Sequence, residues 1–127
     1  MGFRQTLLGR RGAEARVTRT VRMIEQNPDA KHPLGSLARH AGLSPYHFLR
    51  TFQRLTGVTP HQYLLRARLR QAAVRLEVER TSVLAIALDC GFGDVSNFNH
   101  AFRAEFGTNP RAYRFQKRAG PDVEKSC

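Results

Sequence analysis

Apolar side chains recur along this chain at the spacing of amphipathic α-helices, with prolines and glycines between the stripes. The first stripe is Val17, Val21 and Ile24, at the i, i+4 and i+7 positions that share one helical face. The same spacing continues in two later segments, and the side chains expected to face the core there are Phe48, Phe52, Leu55, Phe98, Phe102 and Phe106. The pattern predicts an all-α chain of seven helices, over residues 17–26, 37–41, 45–56, 60–77, 83–90, 95–106 and 110–115.

Residues that commonly cap helices stand at the predicted helix ends. Ser44 and Asp94 precede the third and sixth helices, where their side chains can accept hydrogen bonds from the free backbone N–H groups of the first turn. Ser36, or a residue next to it, is expected to cap the second helix, and Thr81-Ser82 the fifth. Gly42 is expected to end the second helix in a left-handed conformation.

One structural unit occurs twice in the chain. Five positions recur at a constant offset of 50 with the same amino acid each time, and the turn glycines Gly42 and Gly91 lie 49 apart. Because the offset holds across aromatic, glycine and proline positions, we interpret the chain as two copies of a helix, glycine turn and helix. The five pairs are Phe48 and Phe98, Phe52 and Phe102, Gly57 and Gly107, Pro60 and Pro110, and Tyr63 and Tyr113.

The predicted helices divide the chain into five segments. Residues 1–16 have no sustained apolar period and are expected to form a basic, flexible N-terminal arm. Residues 17–59 and 81–118 each contain one copy of the repeated unit. Residues 60–80 connect the copies through a long helix without internal glycine or proline, which would span about 25 Å. Residues 119–127 are expected to be a polar tail.

Charge is the first indication of a binding partner. The 127 residues carry a formal net charge of +11, and 18 of the 21 basic residues are arginine. Between Asp29 and Glu77 there is no carboxylate, although eight basic residues lie in that interval. Positive charge over such a length indicates a surface that binds an anionic partner, because an ordinary solvated helix face usually carries mixed charge. Strong basicity is typical of nucleic-acid binding.

Other classes of function find little support in the sequence. No apolar run approaches a membrane span and the N-terminus does not resemble a signal peptide, so we expect a soluble, cytoplasmic protein. Cys90 and Cys127 have neither a disulfide nor a metal-ligand spacing. The histidines and carboxylates are scattered, and Gly91-Phe92-Gly93 follows no strand. We expect no catalytic residue, no metal and no cofactor.

Two runs of the chain resemble the DNA-binding domain of the AraC/XylS transcription factors. They are LSPYHFLRTFQRLTGVTPHQYLLRARLRQAA and IALDCGFGDVSNFNHAFRAEFGTNPRAYR, and the resemblance extends over about residues 17–118. The second run contains the specific pattern GF-x-D-x-S-x-F-x-x-x-F followed by G-x-x-P-x-x-Y-R. The resemblance implies two helix-turn-helix subdomains joined by the long fourth helix, each inserting its second helix into the DNA major groove.

Matching family positions imply which side chains read bases. In the third helix they are Tyr46 and Arg50, with Leu49 as a neighbour that could add a contact. Arginine can donate two hydrogen bonds to guanine, although Arg50 could instead hold a phosphate. Many family members have arginine at the position of His100, which leaves the base preference of the second half-site open. The full base-reading set is Tyr46, His47, Arg50, Gln53, Val95, Ser96, Asn99 and His100, and the expected phosphate contacts are Arg39, Arg54, Arg103, Arg111 and Arg114.

The resemblance further implies a bacterial transcriptional regulator, an activator that recruits RNA polymerase at promoters in the nucleoid. Two major-groove helices in one polypeptide would read unlike half-sites about 34 Å apart as a monomer. No segment of this chain resembles a small-molecule sensor domain, so it is either a stand-alone factor or part of a larger regulator. The alternatives are a non-specific or architectural nucleic-acid-binding protein, including an RNA binder, and an interaction module that does not bind DNA.

Overall fold

The computed structural model describes residues 2–119, and this part of the chain forms seven α-helices without β-strands. The all-α prediction is therefore confirmed. The helices are α1 (Gly2–Gln26), α2 (Leu34–His40), α3 (Pro45–Thr56), α4 (Pro60–Val78), α5 (Val83–Asp89), α6 (Val95–Phe106) and α7 (Pro110–Ala119).

The chain divides into two compact units, and the boundary between residues 65 and 66 lies inside α4. In unit 1, α3 packs against α1 and α2. In unit 2, α6 packs against α5 and α7. Both units share α4, whereas the sequence assigned residues 60–80 to a separate connector. Each unit thus places the second helix of one repeat, α3 or α6, against two other helices.

The core of unit 1 forms around Phe48 and Phe52 of α3, both fully buried. The ring of Phe52 meets that of Tyr63 edge-on, with 5.7 Å between the centroids. In α1 the predicted stripe is only partly correct, because Val17 and Ile24 are fully buried while Val21 is half-buried. The buried place beside them belongs to Thr20, whose hydroxyl donates 2.6 Å to the Val17 carbonyl and so is not left unpaired.

The core of unit 2 is a cluster of aromatic rings around Phe102. Its ring centroid lies 5.6 Å from Phe98, 4.5 Å from Phe106 and 5.2 Å from Tyr113. Phe98 and Phe102 are fully buried, and Phe106 is half-buried. The expectation that Leu55 of unit 1 also faces the core is wrong, since 40% of that residue is exposed. It lies in the last turn of α3, where helical spacing no longer guarantees a neighbour.

Three of the four predicted caps are confirmed by hydrogen bonds. Ser44 accepts from the His47 amide, Ser82 from Ala85 and Asp94 from Asn97. The prediction for Ser36 is wrong, because α2 begins at Leu34 and no side chain caps it. Its N-cap residue is Pro33, which has no hydroxyl or carboxylate to accept such a bond. Gly42 has φ +65°, as expected of a left-handed turn residue.

The N-terminal segment is helical, whereas the sequence predicted a flexible arm over residues 1–16. The first helix begins at Gly2 rather than near Val17. Ala13 is buried, which extends the apolar face of α1 one turn upstream, and Arg16 donates from Nε to the Ala41 carbonyl at 2.7 Å. The burial of Ala13 and the hydrogen bond of Arg16 attach this part of α1 to the rest of unit 1. The sequence did not reveal this upstream extension of α1, because a single alanine in a glycine- and arginine-rich segment is a weak periodic signal.

The last helix is also longer than predicted, because α7 continues to Ala119 instead of ending near Phe115. Arg118 donates to the Glu79 carbonyl, which gives the additional turn an attachment within unit 2. Of the predicted tail, residues 119–127, only Ala119 falls within the described part of the chain.

Gly91 is expected to tolerate substitution much less well than its neighbour Gly93. Gly91 has φ +97°, and an added Cβ would lie 2.8 Å from the Arg68 Cζ atom. Gly91→Ala should lower the free energy of unfolding by about 1–2 kcal/mol, the cost of a left-handed conformation for an L-residue. Gly93→Ala, with no atom within 4 Å, should stay within about 0.5 kcal/mol of the parent. Urea unfolding followed by circular dichroism measures both, and equal losses would contradict the prediction.

Candidate nucleic-acid interface

The solvent-facing side of α3 carries the first set of predicted base-reading residues. Tyr46, Arg50 and Gln53 are spaced i, i+4 and i+7, so they lie along one stripe opposite the buried Phe48 and Phe52. All three are exposed, as is His47 beside them, and Tyr46 has 69% of its surface exposed. The structure therefore brings these four residues together on one accessible helix face.

Tyr46 and Arg50 contact each other on this face. The Arg50 guanidinium carbon lies 5.7 Å from the centre of the Tyr46 ring, and Nη1 donates to the tyrosine hydroxyl at 3.3 Å. Leu49, the possible additional contact, is half-buried at the edge of the stripe. The face thus presents one arginine fork that is already held by an aromatic neighbour.

In unit 2, predicted base-reading and phosphate-contacting residues line one concavity of about 870 Å³. It is lined by one side of α6 and by the beginnings of α5 and α7. Ser96, the remaining predicted reader on α6, is exposed but does not line the concavity. The predicted site residues that line it are Val95, Asn99, His100, Arg103, Arg111 and Arg114.

The part of the concavity that α7 lines combines a helix N-terminus with an exposed arginine. Asn109 caps the helix by accepting from the Ala112 amide at 2.8 Å, and Pro110 is buried beside it. Arg111 in the first turn is exposed, and so is Arg103 of α6. A helix N-terminus carries partial positive charge, which adds to the charge of these two arginines. The concavity is therefore suited to receive an anionic group.

Arg114 lines the same concavity but has a structural role that the sequence did not reveal. Its Nε donates to the Leu76 carbonyl at 3.0 Å and its Nη2 to the Thr81 carbonyl at 2.5 Å. Burial, and then the neighbouring charge of Arg118, lower the pKa of Arg114 from its ordinary value. Because two of its donors already bond to the last turn of α4 and to the segment after it, we assign Arg114 to the scaffold, and its phosphate contact stays a prediction.

A second arginine network orders the end of α4. Arg75 donates to both carboxylate oxygens of Glu79, at 2.7 and 2.9 Å, and its Nη1 lies 3.0 Å from Asp89 of α5. The hydrogen bond from Arg75 lowers the pKa of Glu79, and a further bond from Thr81 acts in the same direction. This network links α4 to the C-terminal end of α5, which positions the helix that packs on α6.

The two remaining phosphate candidates lie in unit 1. Arg39 is exposed on α2, beside a shallow depression that it lines with Ser36 and His40. Arg54 of α3 lies 3.5 Å from the Glu14 carboxylate, with 47% of its side chain exposed. The sequence did not anticipate this ion pair because Glu14 was assigned to the arm. The Glu14 carboxylate therefore partly neutralises the charge of Arg54.

Within residues 2–119 no three histidine, cysteine, aspartate or glutamate side chains cluster as metal ligands would. None of the helices described is both long and apolar enough to cross a membrane.

A family profile described as a helix-turn-helix domain matches residues 37–116. The DNA-binding domain of AdpA, a global transcriptional factor solved in complex with a target DNA, superposes with a TM-score of 0.78 and 32% identity, over 84% of this chain and 96% of that one. An AraC-type regulator from Chromobacterium violaceum also has a TM-score of 0.78, with 31% identity over 87% of this chain and 97% of its own. This chain belongs to the AraC/XylS family. Unit 1 and unit 2 contain the two helix-turn-helix motifs of its DNA-binding domain.

Among curated relatives, the HTH-type transcriptional regulator Rv1931c of Mycobacterium tuberculosis is 39% identical over 83 residues, which are 65% of this chain. Several matched relatives are named as transcriptional activators. The chain spans about a third of the length of the first curated relatives it matches, 32% in the case of Rv1931c.

Proposed function

We propose that this AraC/XylS-type domain is a sequence-specific regulator that inserts α3 and α6 into successive major-groove segments of promoter DNA. The observation that carries the proposal is the concavity of unit 2, where base-reading candidates of α6 lie beside two exposed arginines and the N-terminus of α7. Protein–DNA interfaces combine phosphate contacts, which position the protein, with base contacts, which specify the sequence.

On α3, Arg50 donates two hydrogen bonds to guanine O6 and N7, the commonest specific contact in the major groove. Tyr46, His47 and Gln53 contribute adjacent contacts along the same exposed stripe. On α6, Asn99 is suited to adenine and Val95 to a thymine methyl group, with Ser96 and His100 beside them. The two faces differ in chemistry, so the half-sites should differ in sequence.

Phosphates are held by the exposed arginines and by backbone N–H groups at helix starts. Arg103 and Arg111 serve unit 2, and Arg39 and Arg54 serve unit 1. Arg54 must share its charge with Glu14, 3.5 Å away, so its contribution should be smaller than that of Arg111. The solved complex of the similar AdpA domain with a target DNA supports a duplex as the partner.

In the cell, the proposed role is activation at promoters, in contact with RNA polymerase and with one copy of this domain bound per site. Its location would be the cytoplasm, with the nucleoid. The activator role is supported by relatives that carry that name. An architectural, non-specific binder is the competing function, and the net charge of +11 alone is compatible with it. Capped helices with unlike exposed faces favour the sequence-specific role.

Selection of bound fragments from a random duplex library tests the proposed function. We expect two dissimilar half-sites about 10 base pairs apart, because two helices on one side of B-DNA enter the groove about one turn apart. Competition with unrelated duplex DNA provides the control. Equal affinity for all sequences would establish the architectural role instead, and a single compact palindrome would contradict one domain reading both half-sites.

A further inference from the structure

The pair formed by Tyr46 and Arg50 is the most specific side-chain arrangement on the exposed faces of α3 and α6. The guanidinium carbon lies 5.7 Å from the ring centre, and Nη1 donates to the hydroxyl at 3.3 Å. Both residues are exposed, so the contact covers no core and adds little to folding. The contact joins two solvent-facing side chains on a predicted reading face, so its role is to be sought in binding and not in folding.

An isolated arginine on a helix surface samples many rotamers and loses that freedom when its fork is fixed on a base. The Tyr46 ring restricts the guanidinium, and the hydroxyl orients one of its nitrogen atoms. Only one of the five N–H donors is used, so Nη2 and Nε still present the parallel pair that guanine O6 and N7 accept. The fork is thus ordered before the duplex arrives, which lowers the entropic cost of reading guanine.

The repeat supplies an internal comparison. At the offset of 50, Tyr46 corresponds to Ser96 and Arg50 to His100. A serine has no ring on which a neighbour could stack, so α6 has no equivalent of the contact between Tyr46 and Arg50. The backbone and caps of α6 nevertheless match those of α3. The pairing is therefore not required by the helix-turn-helix scaffold.

We propose that Tyr46 is a positioning residue that orients Arg50 for a guanine in the half-site read by α3, instead of being a separate base reader. The inference rests on the proposed function, because it assigns a task within the same binding face. It changes the expected roles of the pair: Arg50 provides the discrimination, and Tyr46 acts through it.

The test is a double-mutant cycle on duplexes selected from a random library, with each base pair of the α3 half-site changed in turn. Discrimination is the ratio of affinities for the selected and the changed duplex. Arg50→Ala should abolish discrimination at one guanine position. Tyr46→Ala should lower discrimination at that same position by about threefold to fivefold, as expected for an exposed cation–π contact, and should have no further effect in the Arg50→Ala background.

Tyr46→Phe keeps the ring and removes the hydroxyl, so it should retain most of the discrimination that Tyr46→Ala loses. Ser96→Ala, alone and with His100→Ala, is the matched control, and its effects should be additive because no such pairing exists there. Circular dichroism and urea unfolding should be unchanged in all these variants, since each replaced side chain is exposed.

Three results would overturn this inference and leave the proposed function intact. A loss of discrimination from Tyr46→Ala at a different base pair, or a loss of equal size with and without Arg50, would make tyrosine a direct reader. Unchanged discrimination in Tyr46→Ala would remove any role of the ring in reading. If the parent protein bound every duplex equally, the proposed function would be wrong and this inference with it.

Discussion

Replacing Phe102 with alanine is expected to lower the free energy of unfolding by about 3–5 kcal/mol, the range for large-to-small changes at buried aromatic positions. Phe102 is fully buried, and its ring is within 6 Å, centroid to centroid, of three others: Phe98 at 5.6 Å, Phe106 at 4.5 Å and Tyr113 at 5.2 Å. Truncation would remove its own apolar surface and leave these neighbours around a cavity. Small domains have only about 5–15 kcal/mol in total, so unit 2 would become marginal.

Urea unfolding followed by circular dichroism measures this effect. Phe115→Ala is the matched control, because it makes the same chemical change in the same unit at a side chain that is 71% exposed. It should shift stability by less than about 0.5 kcal/mol. A loss below about 1 kcal/mol for Phe102→Ala would mean that the ring cluster does not hold unit 2 together.

Affinity for a selected duplex should fall about 100- to 500-fold between about 50 and about 200 mM salt. The reason is counterion release: each phosphate neutralised by an arginine adds about −0.9 to the slope of log affinity against log salt, and four or five phosphate contacts are expected. Fluorescence anisotropy over a salt series measures the slope. A flat dependence would mean that phosphate contacts do not dominate binding.

Arg111 and Arg114 separate contact with DNA from support of the fold. Arg111 is exposed, so Arg111→Ala should make the salt slope shallower by about 1 and leave unfolding unchanged. Arg114 donates to the Leu76 and Thr81 carbonyls, so Arg114→Ala should cost about 1–3 kcal/mol of stability with little change in slope. The opposite outcome would place Arg114 on the phosphate backbone and Arg111 in the scaffold.

Local signals in the sequence predicted most of the helical framework. Ser44, Ser82 and Asp94 act as caps through hydrogen bonds to amides three residues away, so neighbouring sequence is sufficient to identify them. Phe48, Phe52, Phe98 and Phe102 are buried because helical spacing places each pair on one face. The start of α1 and the exposure of Leu55 were missed because both depend on where a neighbouring helix lies.

The candidate site divides in the same way. The exposure of Tyr46, Arg50, Asn99 and His100 follows from their positions opposite the phenylalanine stripes, which the sequence shows directly. The sequence does not show that Arg16, Arg68 and Arg114 bond to backbone carbonyls 25, 23 and 33 or more residues away. In a chain with 18 arginines, residue type alone does not distinguish those that face solvent from those that bind the fold.

The sequence by itself determined that the protein is built from two helix, turn and helix units, because repeated phenylalanine, glycine and proline positions act through contacts and backbone angles that are local to each helix and turn. Only the tertiary structure decided which charged side chains remain available for a partner. That choice depends on contacts between residues far apart in the chain, such as Glu14 with Arg54 and Arg114 with Thr81. Folding brings these groups together, and no periodicity in the sequence records it.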